Sequence, residues 1–206
     1  SAGDAPVSAT GGGVREGPGD PGAGAARITA KGGAMRRIAF ATLLALAACG
    51  RPSLDDPKLS DRDLRLEEFF VGDLVAHGQF QDVLGTVSRR FEVAIEGAWD
   101  GEVLTLVEDF VYEDGSTERR VWTLRKTGAR RWEGTAPGVI GTATGEERGD
   151  TFNWRYVIDL PVGEETIRVR FDDWMWLVAE DRVLNRAWMY RAGIRVGEVT
   201  IFFEKA

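Results

Sequence analysis

The chain has 206 residues, of which 43% are hydrophobic, 10% aromatic and 29% charged, the composition of a globular protein. This excludes a multi-span membrane protein and a wholly disordered chain. A net charge of −7 and a single histidine, His77, argue against nucleic-acid binding and against a polybasic membrane-surface module, since both need clustered Lys and Arg.

Residues 1–34 hold 10 of the 26 Gly, together with Ala and Pro, and almost no side chain large enough to bury. They cannot offset their ordering entropy and are expected to form a disordered Gly/Ala-rich leader. Met35-Arg36-Arg37 then introduces the apolar run from Ile38 to Ala48. Eleven residues fall short of the about 20 that a spanning helix needs. A basic flank, a short apolar core and small residues at its end instead make residues 35–48 a secretory signal peptide. A signal starting at Met35 makes residues 1–34 the product of a start assigned too far upstream.

Leu46-Ala47-Ala48-Cys49 resembles the lipobox of bacterial lipoproteins. The resemblance implies a diacylglycerol on Cys49 and cleavage just before it, and Gly50 in the next position implies sorting to the outer membrane, facing the periplasm. Multiple acyl chains hold a protein on a bilayer where one alone is marginal. Residues 49–63 then read as the acylated cysteine and a short tether.

From Leu64 the pattern alternates with period two and turn signals recur at short intervals. Val87, Phe91, Val93, Ile95 and Trp99 share one face, with Arg90, Glu92 and Glu96 on the other. Asp100-Gly101 and Asp114-Gly115 are hairpin turns that bound a strand from Val103 to Tyr112 and another from Arg119 to Lys126. Further strands are expected over Leu74–Gln81, Arg131–Ala136, Val139–Arg148, Thr151–Val162, Thr166–Ala179, Arg182–Arg191 and Arg195–Glu204. Residues 64–206 are therefore expected to form one all-β domain. Its architecture is an antiparallel up-and-down meander of about 8–10 strands closing into a lipocalin/calycin-like barrel.

Several segments together are similar to the bacterial domain of unknown function family 3833. They are Phe80-Gln81-Asp82, Trp132-Glu133-Gly134-Thr135-Ala136, Phe171-Asp172-Asp173-Trp174-Met175, and Asn185-Arg186-Ala187 through Val196-Gly197-Glu198-Val199-Thr200. The resemblance spans nearly all of residues 64–206. It implies a bacterial lipoprotein and an association with enzymes that modify fatty-acyl chains, and it assigns no catalytic residue and no cofactor.

One histidine and one acylated cysteine cannot build a multi-His metal site. His77 reads as a strand-surface or hydrogen-bonded residue rather than a catalyst. Gly141, Gly145 and Gly149 lack the Lys-Ser/Thr of a phosphate cradle and mark bends. No nucleophile elbow is present. Asp173 lies on the apolar face of its strand, between Phe171 and Met175, so it must be paired, hydrogen-bonded or protonated. Arg186 is its candidate partner, and the two form either a structural ion pair or an acid–base pair. Trp122, Trp154, Tyr156, Phe171, Trp174 and Trp188 are candidates to line an interior, because small barrels leave room for one apolar ligand.

The expectation is an envelope lipoprotein binding a hydrophobic small molecule such as a fatty acid or modified lipid. A small enzyme on a lipid-derived substrate and an envelope protein-interaction module are the alternatives.

Overall fold

A computed structural model describes residues 50–162 and 165–206. The expected leader, the signal peptide and Cys49 lie outside the described residues. Alternation from Gly72 onward gives ten antiparallel strands: β1 (Gly72–Asp82), β2 (Val87–Trp99), β3 (Val103–Tyr112), β4 (Thr117–Gly128), β5 (Arg131–Thr135), β6 (Ala143–Arg148), β7 (Thr151–Val162), β8 (Glu165–Ala179), β9 (Arg182–Arg191) and β10 (Ile194–Lys205). Each pairs with its neighbours in sequence, and β1 also pairs with β10, setting Leu74 opposite Lys205 and Asp82 opposite Gly197. The result is a closed up-and-down barrel of lipocalin-like architecture, with no edge strand among the described residues left to template a foreign one.

Four strands, β2, β3, β7 and β9, begin and end at the residues the alternation marks. β6 starts at Ala143 instead of Val139. Gly138 and Gly141 adopt positive φ of 84° and 72°, which bends residues 137–142 into a loop joined to the wall by the single bridge Val139–Ile158.

The core is the barrel lumen. On β2 the inward Phe91, Val93 and Ile95 are buried while Glu92, Ala94 and Glu96 are exposed. Gly145 on β6 lets the β7 rings lean across it, since a Cβ there would meet Phe152 Cζ and Trp154 Cε3, each at 2.5 Å.

In an up-and-down meander the odd-numbered hairpin turns lie at one end and the even-numbered turns at the other. The even-turn end is closed by α1 (Leu66–Phe69), whose Leu66 and Phe69 are buried together with Leu64 and Phe70. Burying each such side chain contributes about 1.5–3 kcal/mol. Four residues are too few to carry helical periodicity, so this plug is invisible in the pattern.

Glu147 anchors the first turn of α1. Its Oε1 accepts from the Leu66 N–H at 3.0 Å and from Trp132 Nε1 at 2.8 Å. The Phe70 carbonyl sits directly over Gly97, where a Cβ would lie 1.6 Å from its oxygen. The segment leading into α1 runs along the outside of the wall. Arg51 lies 5.5 Å from the Tyr190 ring centre, and Leu59 and Ser60 donate their N–H groups to Asp150 Oδ2.

Candidate functional site

Inside the barrel is a cavity of about 120 Å³. Its walls are mostly apolar and aromatic, with Leu66 of α1 and Phe70 just after it forming the floor. Trp122 on β4 meets the edges of Trp154 and Tyr156 at 5.8 and 5.2 Å, and Tyr156 stacks on Phe171 at 4.9 Å. Edge-to-face packing of this kind fixes ring positions beyond what burial alone does.

Ionisable groups enter this apolar space from opposite sides. Glu108 on β3 has its carboxyl pushed up to about 7, chiefly by burial; Arg120 works against the shift and Asp173 adds to it. Asp173 on β8 is likewise pushed up to about 7 by burial, with Asn185 opposing and Asp172 reinforcing. Burial raises the Tyr156 hydroxyl well above its ordinary value, with the Asp173 charge adding to it. Arg120 stays charged: burial opposes this, but Glu108 and Glu118 outweigh it.

Arg120 donates to Glu118 Oε1 at 2.6 Å, and the Tyr112 hydroxyl donates to Glu118 Oε2 at 2.9 Å. Asn185 donates through Nδ2 to the Asp173 carboxylate and to the Trp174 carbonyl, while its buried Oδ1 has no hydrogen-bond partner among the described residues. A buried acceptor left unpaired costs about 1–3 kcal/mol, so it is a position where a donor on a bound molecule or water is favoured.

The residues singled out in the sequence divide between the two faces of the wall. Trp122, Trp154, Tyr156 and Asp173 reach the cavity. Phe171 is interior but stands behind Tyr156 in the packed core. Trp174 and Trp188 point outward, a correction that follows from strict alternation. On β8 the inward positions are Phe171, Asp173 and Met175, which leaves Trp174 outside, donating its Nε1–H to Asp172 Oδ1 at 3.1 Å and stacking on Trp176.

Trp188 faces outward from β9, where the Arg186 guanidinium lies 5.3 Å from its ring centre. Arg186 is therefore not the partner of Asp173. It donates to both oxygens of Glu198 at 2.7 and 2.8 Å on the outer face. The partner is Asn185, one residue earlier and on the inward side. His77 is also external, 3.6 Å from Glu92.

Glu108 and Arg120 were not singled out, although both occupy the apolar parity of their strands: Leu104, Leu106, Glu108 and Phe110 on β3, and Arg120, Trp122 and Leu124 on β4. Among the described residues no cluster of three or more His, Cys, Asp or Glu is disposed to hold a metal ion.

An apolar lumen with a few converging polar groups, enclosed by an up-and-down barrel, defines a lipocalin-like protein by its architecture. The chain belongs to a family described as "Protein of unknown function (DUF3833)", whose sequence model matches residues 43–205. No curated protein matches the sequence. Among solved structures the chain is similar to an S-type phycobiliprotein lyase from Guillardia theta, with a TM-score of 0.49 and 10% identity, covering 69% of this chain and 93% of that one.

Proposed function

We propose that this protein is an envelope lipoprotein, held through Cys49 on the outer membrane and facing the periplasm, whose barrel binds a hydrophobic small molecule carrying one hydrogen-bonding group. The observation that carries the binding reading is the aromatic cavity into which Glu108, Tyr156 and Asp173 project, next to the unpaired Asn185 Oδ1. Pockets for drug-sized ligands run to about 300–1,000 Å³, while a cavity of about 150 Å³ takes benzene. The 120 Å³ lumen thus suits a compact ring or one end of a fatty-acyl chain or modified lipid. Two carboxyls that titrate near neutrality favour a neutral or donor-bearing group over a second anion at this position.

Native mass spectrometry of the mature chain, followed by extraction, tests the proposal. A stoichiometric apolar molecule is expected, and quenching or shifting of Trp122 and Trp154 fluorescence should accompany its return to the stripped protein. A clean mass, with no change in fluorescence on titration with envelope lipids, overturns it.

An enzyme acting on a lipid-derived substrate is the second reading, and one observation favours it: two carboxyls facing one cavity, both near 7, match the requirement for general acid–base work. Turnover of the extracted molecule, abolished in Glu108→Gln or Asp173→Asn but retained in a surface variant, would establish it. Binding without turnover removes it.

A further inference from the structure

The two ends of the barrel are alike in acidic turns, with Asp100, Glu102, Glu180 and Asp181 at the α1 end and Asp82, Glu113, Asp114 and Glu165 at the other, and differ in their exposed apolar side chains. The large apolar side chains exposed at the α1 end are Val71 and Val178 at 39% and 37%, and the incoming segment adds Leu59 at 60%. At the opposite end Leu84 is 88% exposed, Ile194 71% and Val83 55%, with Ile140 and Val196 at 43% and 40%. Isolated exposed apolar residues are ordinary, but five gathered on the turns and strand ends of one rim are a patch that a solvated protein does not need.

These side chains are held out by built turns. Asp82 Oδ1 accepts from the Leu84 N–H at 2.8 Å and the Thr86 N–H at 2.9 Å, which orders the β1–β2 loop around an exposed leucine. In the β9–β10 turn, Ala192 and Gly193 both adopt positive φ, 49° and 81°, the tight hairpin geometry that sets Ile194 directly after the tip, opposite Arg191.

The chain also enters at this rim. Arg51 lies 5.5 Å from the ring of Tyr190, the penultimate residue of β9, just before the β9–β10 turn. Cys49, the proposed anchor, is two residues earlier in the sequence. From Arg51 the chain runs the length of the wall to the opposite end, where Leu64 donates its N–H to the Gly149 carbonyl at 2.7 Å.

We infer that the rim formed by Val83, Leu84, Ile140, Ile194 and Val196 is a lipid-contacting face that sits in the bilayer interface, with the barrel standing on the membrane and its α1 end pointing away. The inference rests on the lipid anchor at Cys49 proposed above. An acyl group on the chain that enters at this rim draws these side chains, and not the α1 end, to the bilayer. The end of the barrel opposite α1 then faces the phase from which an apolar ligand comes.

The test uses the full acylated chain in vesicles of phosphatidylethanolamine and phosphatidylglycerol. An environment-sensitive probe is attached in turn through Leu84→Cys, Ile194→Cys or Glu180→Cys. Nitroxide lipids should quench the first two about threefold or more beyond the third, as burial about 5–10 Å into the interface requires. Adding Leu84→Asp and Ile194→Asp together should abolish quenching of a probe at Ile140→Cys.

Equal quenching at 84, 194 and 180, or quenching at 180 alone, overturns the orientation while leaving the anchor intact. Incorporation of labelled palmitate is read on the same preparation. Its failure removes the anchor and the orientation with it.

Discussion

Glu108 and Asp173 face one another across the lumen from β3 and β8, five strands apart around a ten-strand wall, close enough that the charge of one raises the proton affinity of the other. Both carboxyls bind a proton more tightly in the folded chain, at about 7, than in the unfolded chain, where the ordinary values are 4.5 and 3.8. The folded state is therefore favoured at low pH, and stability falls as pH rises from about 4 to about 7. Urea denaturation at pH 5 and pH 8 should show this loss. Glu108→Gln or Asp173→Asn should each remove about half of it and raise stability at pH 8 by about 3 kcal/mol.

Arg186 and Arg120 separate the outer face from the inner one. Arg186→Met removes the half-exposed one of two arginines that hold the buried Glu198 carboxylate, Arg195 remaining, and should cost about 1–3 kcal/mol while leaving ligand binding unchanged. Arg120→Met removes the cation that opposes the rise of Glu108, so the stability loss should move to higher pH. Titration of both variants by chemical denaturation at several pH values distinguishes them.

Gly97→Ala forces a methyl group onto the Phe70 carbonyl, a backbone atom that moves only if α1 is unseated. A loss of about 3 kcal/mol is expected. Faster amide exchange in residues 64–70, measured by mass spectrometry, should accompany it.

Glu147 holds α1 by a carboxylate that burial raises above its usual range while the Leu66 N–H and Trp132 indole pull it back. Glu147→Ala strands both donors and should cost about 2–3 kcal/mol in thermal or denaturant unfolding. Glu147→Gln keeps an acceptor oxygen and should cost clearly less.

Alternation made the barrel legible because each strand has one face in the lumen and one outside. Hydrophobicity alone did not say which face is which. On β8 the outward Trp174 and Trp176 are as apolar as the inward Phe171 and Met175, and on β9 the aromatic parity of Trp188 and Tyr190 is external. Those outer rings stack on one another or lie beside arginines, interactions that depend on cross-strand register and leave no mark in a single strand's period. Asp173 was legible as a misfit on an apolar face. Glu108 and Arg120 carried the same signal, and its weight emerges only once β3 and β8 are known to face each other across the barrel. α1 left no trace, because its role comes from the carbonyl of Phe70 meeting Gly97 and from the carboxylate of Glu147.

The seam between β1 and β10 has a consequence for the order of events in time. Synthesis delivers β1 first, yet Leu74 waits for Lys205 on β10 before its second edge is satisfied. Through that interval the nascent sheet presents open backbone at its first strand and at whichever strand has emerged last. Assembly through such distant pairing is slow, on the order of milliseconds to seconds. Loss of the last strand therefore costs more than a tenth of the wall: it reopens β1 and β9 together and turns a sealed surface into two templates for aggregation.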